Sequence, residues 1–384
     1  MVERRGSRKL TWVLLTLLLL VLTGLVLRRV ADAHLRAMSV LARFSNPRKE
    51  GFVTSFARGP FREELGTAQT PQGTLQFRLY IPQEVKHAHA MVLLHGIHHL
   101  GMEEPRLVSF ARALAGAGLE VMTPELQDLA DYRVTPRTID VIGTSAIVLS
   151  TRMNEPVGVM GLSFAGGLAL LAATKPEYAQ KIGFVAAIGA HDDMARVARF
   201  YADDLIERPD GSTAHLQAHD YGVLVLAYAH LDDFFSPSDV PAARDSIRLW
   251  LWEKHQDAMA AERRMSAAGQ AEFDRLVQHH ELAKQQILRE IQEHQAEMDA
   301  VSPHGHLAQL KVPAYLLHGS GDTVIPASET EWLARDVPKP DLKAVLVSPA
   351  LIHVSMEEAV PVREEWALVD FLAGVLAAAN GLEH

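Results

Sequence analysis

The stretch VGVMGLSFAGGLALLAA, residues 157–173, holds the side chain with the plainest chemical purpose in this chain. An apolar run suited to a buried strand breaks at Gly161-Leu162-Ser163-Phe164-Ala165 and resumes as a small-residue helix. A serine at the tip of such a turn has its Oγ lifted clear of the sheet, at the N-terminus of the following helix. The residues two before and two after it must be small, because the strained turn brings the strand and helix backbones together. Gly161 and Ala165 fill those positions, and Gly166 and Gly167 add space. The backbone N–H of Phe164 then points to where an oxyanion would form. The chemistry these types allow is acyl transfer to the Ser163 hydroxyl, which near neutral pH needs a base within hydrogen-bond reach.

This segment resembles the nucleophile elbow of the α/β-hydrolase family, G-x-S-x-G, with Ala165 in place of the last glycine. Two further stretches strengthen the resemblance. YLLHGSGDTVIP (315–326) looks like the family's strand and loop that carry the acid, which implies Asp322. SPALIHVSMEE (348–358) offers His353 in the loop after the next strand, ahead of a C-terminal helix. The order Ser163, Asp322, His353 is the family order. The resemblance covers roughly 75–190 and 312–380, and it implies a serine hydrolase that works through an acyl-enzyme. His353 would be the base, and Asp322 would hold its imidazole in the productive tautomer. His95-Gly96 matches the family's H-G, which assigns the second oxyanion donor to the Ile97 N–H and makes His95 a structural hydrogen-bonder. His98 and His99 either line the mouth of the pocket or face solvent, and solvent is the favoured reading. Asp192 or Asp193, after VAAIGA, remains an alternative acid. A carboxylic ester is the expected substrate and no cofactor is expected. Amide, peptide or thioester cleavage by the same triad stays open, as does a retired hydrolase fold that only binds.

Positioning three such groups requires a sheet whose strands end along one edge. TLQFRLYIP (74–82) alternates as a half-exposed strand does. AMVLLHG, LEVMTPEL, EPVGVMGLS, KIGFVAAIGA, VPAYLLHGS and LKAVLVSPA are short apolar runs bounded by turn residues. Helical spacing fills the gaps, as in RLVSFARALAGAGL and 137–152. Continuous apolar strands alternating with helices predict a mostly parallel sheet buried on both faces. The alternation fails over 191–310, a stretch of helix formers with no sheet strand, which predicts a helical cap inserted between core segments at 53–190 and 311–384. Its aromatics Phe200, Tyr201, Phe234, Phe235, Trp250 and Trp252 are candidates for the pocket wall, though most of them are expected only to pack the cap against the core.

With 37 basic and 47 acidic residues the net charge is −10, which argues against a nucleic-acid partner. The absence of cysteine excludes disulfides and thiol catalysis. HGIHH, QHHE and PHGH lack paired helical ligands with a carboxylate, so no metal site is expected. LTWVLLTLLLLVLTGLVL (10–27) carries no charge and would make a helix of roughly 27 Å, close to the ~30 Å hydrocarbon thickness. Residues 1–30 are therefore expected to be a single-pass membrane anchor and 31–52 a juxtamembrane linker. A secretory signal is the rival, since Ala31-Asp32-Ala33 resembles a cleavage site. Against it, the run exceeds the usual ~7–15 residues and Arg28 and Arg29 intervene. Arg4, Arg5, Arg8 and Lys9 before the run outnumber the two arginines after it, which leans toward an extracytoplasmic catalytic domain. The acyl group, the alcohol group and the oligomeric state leave no mark in the sequence.

Overall fold

The apolar runs become strands because each can be covered from both sides. In the computed structural model, which describes residues 3–278, 280–352, 355–356 and 361–381, the strands are β1 (Phe61–Thr70), β2 (Gly73–Pro82), β3 (Ala90–Leu94), β4 (Glu120–Pro124), β5 (Val157–Leu162) and β6 (Ile182–Ile188). A small separate hairpin, β7 (Leu205–Glu207) and β8 (Thr213–His215), precedes β9 (Ala314–Gly319) and β10 (Leu342–Ser348). The main sheet has the order β1-β2-β4-β3-β5-β6-β9-β10. The contacts of β2 with β1 and β4 are antiparallel, and every other contact is parallel. This is the α/β-hydrolase arrangement.

Successive residues of the inner strands enter opposite cores, as the two-residue period demands. Val92 and Leu94 of β3 face one side, and Met91 and Leu93 the other. The first side is covered by α4 (Pro136–Met153) and α5 (Phe164–Thr174), after α2 (Pro105–Gly116) and α3 (Gln127–Ala130) in chain order. The second is covered by α2, by the C-terminal helix Val362–Ala379 and by the last turns of α1 (Glu3–Ser45). Proline at the first turns of α2 and α4 sets their starts, and Glu104 caps α2 by accepting from the Leu107 N–H at 2.7 Å.

Residues 31–45 differ from the expected linker. They continue α1, and Ala33, Ala37 and Val40, at i, i+4 and i+7, are buried against the second core. Arg36 Nη1 donates to the Ala117 carbonyl at 2.7 Å, and His34 Nε2 pairs with Asp370 Oδ1 at 3.1 Å. Upstream, about half of the side chains of 10–27 lie outside the described residues. Among the described residues no helix is long and apolar enough to cross a membrane.

Between β6 and β9 the chain leaves the sheet. After the short α6 (Pro176–Ala179), which precedes β6, come α7 (Met194–Asp203), α8 (Tyr221–Ala229), α9 (Leu231–Phe234), α10 (Val240–Leu251), α11 (His255–Glu262), α12 (Ala267–Gln278), α13 (Lys284–Glu293) and α14 (Gln295–Asp299). Then α15 (Ser328–Asp336) follows β9, and the C-terminal helix is α16. A buried ion-pair cluster ties the insertion to the core. Arg196 of α7 donates from Nε to Glu329 Oε1 at 2.6 Å and from Nη2 to Asp192 Oδ2 at 2.8 Å. Glu329 Oε2 also accepts the backbone N–H groups of Asp192 and Asp193. Burial and the Glu329 charge push the Asp192 carboxyl upward.

Candidate active site

The turn from β5 to α5 holds Ser163 at φ 56°, ψ −136°, a conformation costing of order 1–3 kcal/mol that only a fixed surround maintains. Its surround is backbone. A Cβ on Gly161 would meet the Ala165 carbonyl oxygen at 2.5 Å, and one on Gly166 would meet Ala190 Cβ at 2.8 Å. The Ser163 N–H donates to the Ile188 carbonyl at 2.8 Å, which pins the tip to β6. Although Ser163 occupies the N-cap of α5, its hydroxyl does not cap the helix. A serine at that position ordinarily does, so this hydroxyl is left for other work.

Ser163 lines a cavity of about 730 Å³. Ile97 and Phe164 line it beside Ser163. The loop after β3 passes so close that a Cβ on Gly96 would lie 3.0 Å from Ser163 Cβ and 3.7 Å from its Oγ. Among the described residues neither the Ile97 N–H nor the Phe164 N–H has a backbone acceptor. His95 fixes this loop from beneath. Its Nδ1 donates to the Gly96 carbonyl at 2.7 Å, and its Nε2 accepts from the Leu126 N–H at 3.0 Å. Burial lowers it to about 4, so it stays neutral with both nitrogens occupied.

Asp322 follows β9 and is fully buried. Its Oδ1 accepts the N–H groups of Val324 at 2.8 Å and Ile325 at 3.0 Å. His318, which the sequence reading passed over, braces the same loop: Nε2 donates to the Ile325 carbonyl at 2.8 Å and Nδ1 accepts from the Thr330 hydroxyl at 2.7 Å. His353 lies outside the described residues. The two alternative acids are engaged elsewhere. Asp192 sits in the Arg196 cluster with His304 Nδ1 at 3.1 Å from Oδ2, and Asp193 caps α7 through the Arg196 N–H at 3.0 Å.

One expectation about the cavity wall needs correction. His98 and His99 do not simply face solvent. Both line the cavity, with His99 stacked on Trp252 at 5.2 Å between centroids, and burial lowers both imidazoles. Of the six aromatics singled out in the insertion, only Trp250 and Trp252 line the cavity. Phe200, Tyr201, Phe234 and Phe235 are buried in the core. The reading missed Tyr132 and Tyr221. Tyr132 donates to the Leu251 carbonyl at 3.1 Å, and Tyr221 donates to the Ile97 carbonyl at 3.4 Å from the start of α8. His219 joins the insertion to the loop after β9, its N–H donating to the Thr323 carbonyl at 2.8 Å. No spacing in the sequence marks these three; the insertion brings His219 and Tyr221 to the cavity beside Tyr132 of the core.

No protein-family model matches the chain, and no curated protein matches it. Among solved structures it is similar to an esterase of Pyrobaculum calidifontis, at 15% identity and a TM-score of 0.47 over 85% of this chain and 88% of that one. It is similar to a bacterial brefeldin A esterase described as a homologue of human hormone-sensitive lipase, at 13% identity and 0.47 over 93% and 86%. A putative dipeptidyl aminopeptidase IV from Bacteroides ovatus aligns at 13% identity and 0.48, over 84% of this chain but 36% of that one.

Proposed function

We propose that this chain is a membrane-anchored serine hydrolase that cleaves carboxylic esters through an acyl-enzyme on Ser163. The observation that carries the reading is the strained, non-capping Ser163 lining the cavity beside two N–H groups that have no backbone acceptor among the described residues. In the proposed cycle His353 takes the serine proton as the hydroxyl attacks the ester carbonyl, and Asp322 orients the imidazole. The Ile97 and Phe164 N–H groups receive the oxyanion, a contribution of about 3–4 kcal/mol for one such donor. His353 then protonates the leaving alcohol, and water enters by the same route in reverse. A panel of aryl esters of rising acyl length, with matched amides and thioesters, tests the proposal. Ester turnover well above the other two supports it; amide or thioester turnover in excess, or none at all, overturns it.

The insertion is proposed to act as a cap that shapes the acyl pocket. Trp252→Ala is expected to shift preference toward longer acyl chains, with kcat for a short ester changing less than about 10-fold, since Trp252 touches no reacting group. Phe200→Ala, in the core, is expected to keep the parent profile while costing about 3–5 kcal/mol of stability. Identical acyl profiles for Trp250→Ala, Trp252→Ala and the parent would remove the cap from substrate selection.

The anchor is proposed for residues 1–30. Trp12, Leu15, Leu18, Leu19 and Leu27 stand exposed on α1, and lipid would cover them. The flanking charges lend slight support to an extracytoplasmic catalytic domain. Removing residues 1–30 is expected to give a soluble, active domain, because the buried stripe Ala33, Ala37, Val40 is retained. Removing 1–52 strips that stripe from the second core, a loss of about 3–5 kcal/mol of apolar burial. Equal thermal midpoints for the two truncations would refute this division of α1.

A further inference from the structure

Four side chains of the insertion converge far along the sequence from the triad residues. His230 and Asp233, three apart, come from the start of α9. Glu290 and His294, four apart, share one face at the end of α13. One ligand atom from each lies within 4.8 Å of all the others. His294 Nε2 is 2.9 Å from Asp233 Oδ2 and 3.4 Å from Glu290 Oε1, and His230 Nδ1 is 3.7 Å from the same oxygen. Zinc bonds of about 2.0–2.2 Å place tetrahedral ligand atoms about 3.3–3.6 Å apart. The ligand atoms are therefore near the spacing an ion requires, and the two imidazoles, stacked at 3.6 Å between centroids, must splay apart to bring both nitrogens onto it.

A second observation separates it from an ordinary surface ion-pair network. Glu290 is 2% exposed, and its Oε1, aimed between the two imidazoles, has no hydrogen-bond partner among the described residues. A buried acceptor left unpaired costs about 1–3 kcal/mol, more when charged. His294 already offers its other nitrogen, Nδ1, to Glu297 Oε1 at 3.4 Å, the outer carboxylate that commonly orients a ligating imidazole.

The geometry points to a structural divalent-metal site of zinc type, formed by His230, Asp233, Glu290 and His294. Two nitrogens and two carboxylate oxygens suit a closed four-coordinate zinc. The ion clamps α9 to α13, next to α8, whose Tyr221 and Leu224 form part of the cavity wall. It binds no substrate and takes no part in the acyl transfer. The expectation of no metal site rested on the histidine-rich stretches; these ligands come in pairs from two segments some 60 residues apart.

The test is titration of chelator-stripped full-length protein with Zn2+, and separately with Co2+, which reports its geometry by visible absorption. One equivalent is expected to bind, with the bands of four-coordinate Co2+ and a rise in thermal midpoint of about 5 °C at saturating Zn2+. Glu290→Gln and His294→Ala are each expected to weaken binding at least about 100-fold. Asp233→Asn, on the exposed rim, is expected to weaken it at least about 10-fold without disturbing the core, so the test survives if the buried variants misfold. His304→Ala, in a second cluster with Asp192 and Asp336, serves as the control and should bind as the parent does. Less than half an equivalent bound, affinity indifferent to Asp233→Asn and the folded variants, or loss on His304→Ala would overturn the site.

Discussion

Ser163→Ala is expected to lower kcat for aryl-ester hydrolysis by about 10⁴-fold or more. The substitution removes the attacking oxygen and nothing that holds the turn. The Ser163 hydroxyl makes no capping bond to α5, and the Ile188 contact uses the backbone N–H. Alanine keeps the Cβ, so the left-handed φ remains equally strained and the thermal midpoint should stay within a few degrees of the parent. Steady-state turnover with a parallel unfolding curve checks both halves. Near-normal turnover in a folded Ser163→Ala variant would remove Ser163 from the chemistry. A large drop in stability would instead give the hydroxyl a structural part that its surroundings do not reveal.

Asp322→Asn is expected to cost about 10³–10⁴-fold in kcat, again with little loss of fold. The Oδ1 of Asp322 accepts the Val324 and Ile325 N–H groups, and Oδ2, which lies 3.4 Å from His318 Nε2, is the proposed acceptor for the His353 imidazole. An asparagine can keep the first pair of bonds, but its Nδ2 only donates. The imidazole must then turn its acceptor nitrogen toward position 322, and the nitrogen left for Ser163 carries a proton and cannot act as base. Asp192→Asn and Asp193→Asn distinguish this account from an acid one strand earlier. Asp192 is bound into the Arg196 and Glu329 cluster, so its loss should appear as instability, of order 3–5 kcal/mol for a broken buried pair. Turnover of the folded fraction should fall less than about 10-fold. If Asp192→Asn or Asp193→Asn reduces turnover more than Asp322→Asn, the acid has been misplaced.

The strands that carry the site were readable because β3, β5, β6 and β9 are covered on both faces and so appear as unbroken apolar runs. β1 was not, because FREELGTAQT is half-exposed along its length and is held by pairing with β2 rather than by its own composition. The same physics hid the end of α1. Arginines and polar residues dominate 28–52, and a stripe as thin as Ala33, Ala37 and Val40 gains meaning only once α2 and α16 are there to receive it. Ser163 was legible since a strained elbow demands small neighbours in the sequence itself. His98 and His99 were not: their burial depends on Trp252, which lies more than 150 residues further along. Aromatic content in the insertion could name Phe200 and Trp252 alike, but which one meets the cavity depends on how its helices return over the sheet. His353 rests on the sequence order alone, as its position lies outside the described residues.

The most direct measurement is the site of covalent capture by a fluorophosphonate, which reacts only with a serine activated for attack and lying beside oxyanion donors. Full-length protein should gain the mass of one phosphonyl adduct, and peptide mapping should place it on Ser163. The adduct should be absent in Ser163→Ala and slowed in Asp322→Asn. No adduct on folded protein, or an adduct on any other residue, would contradict the account.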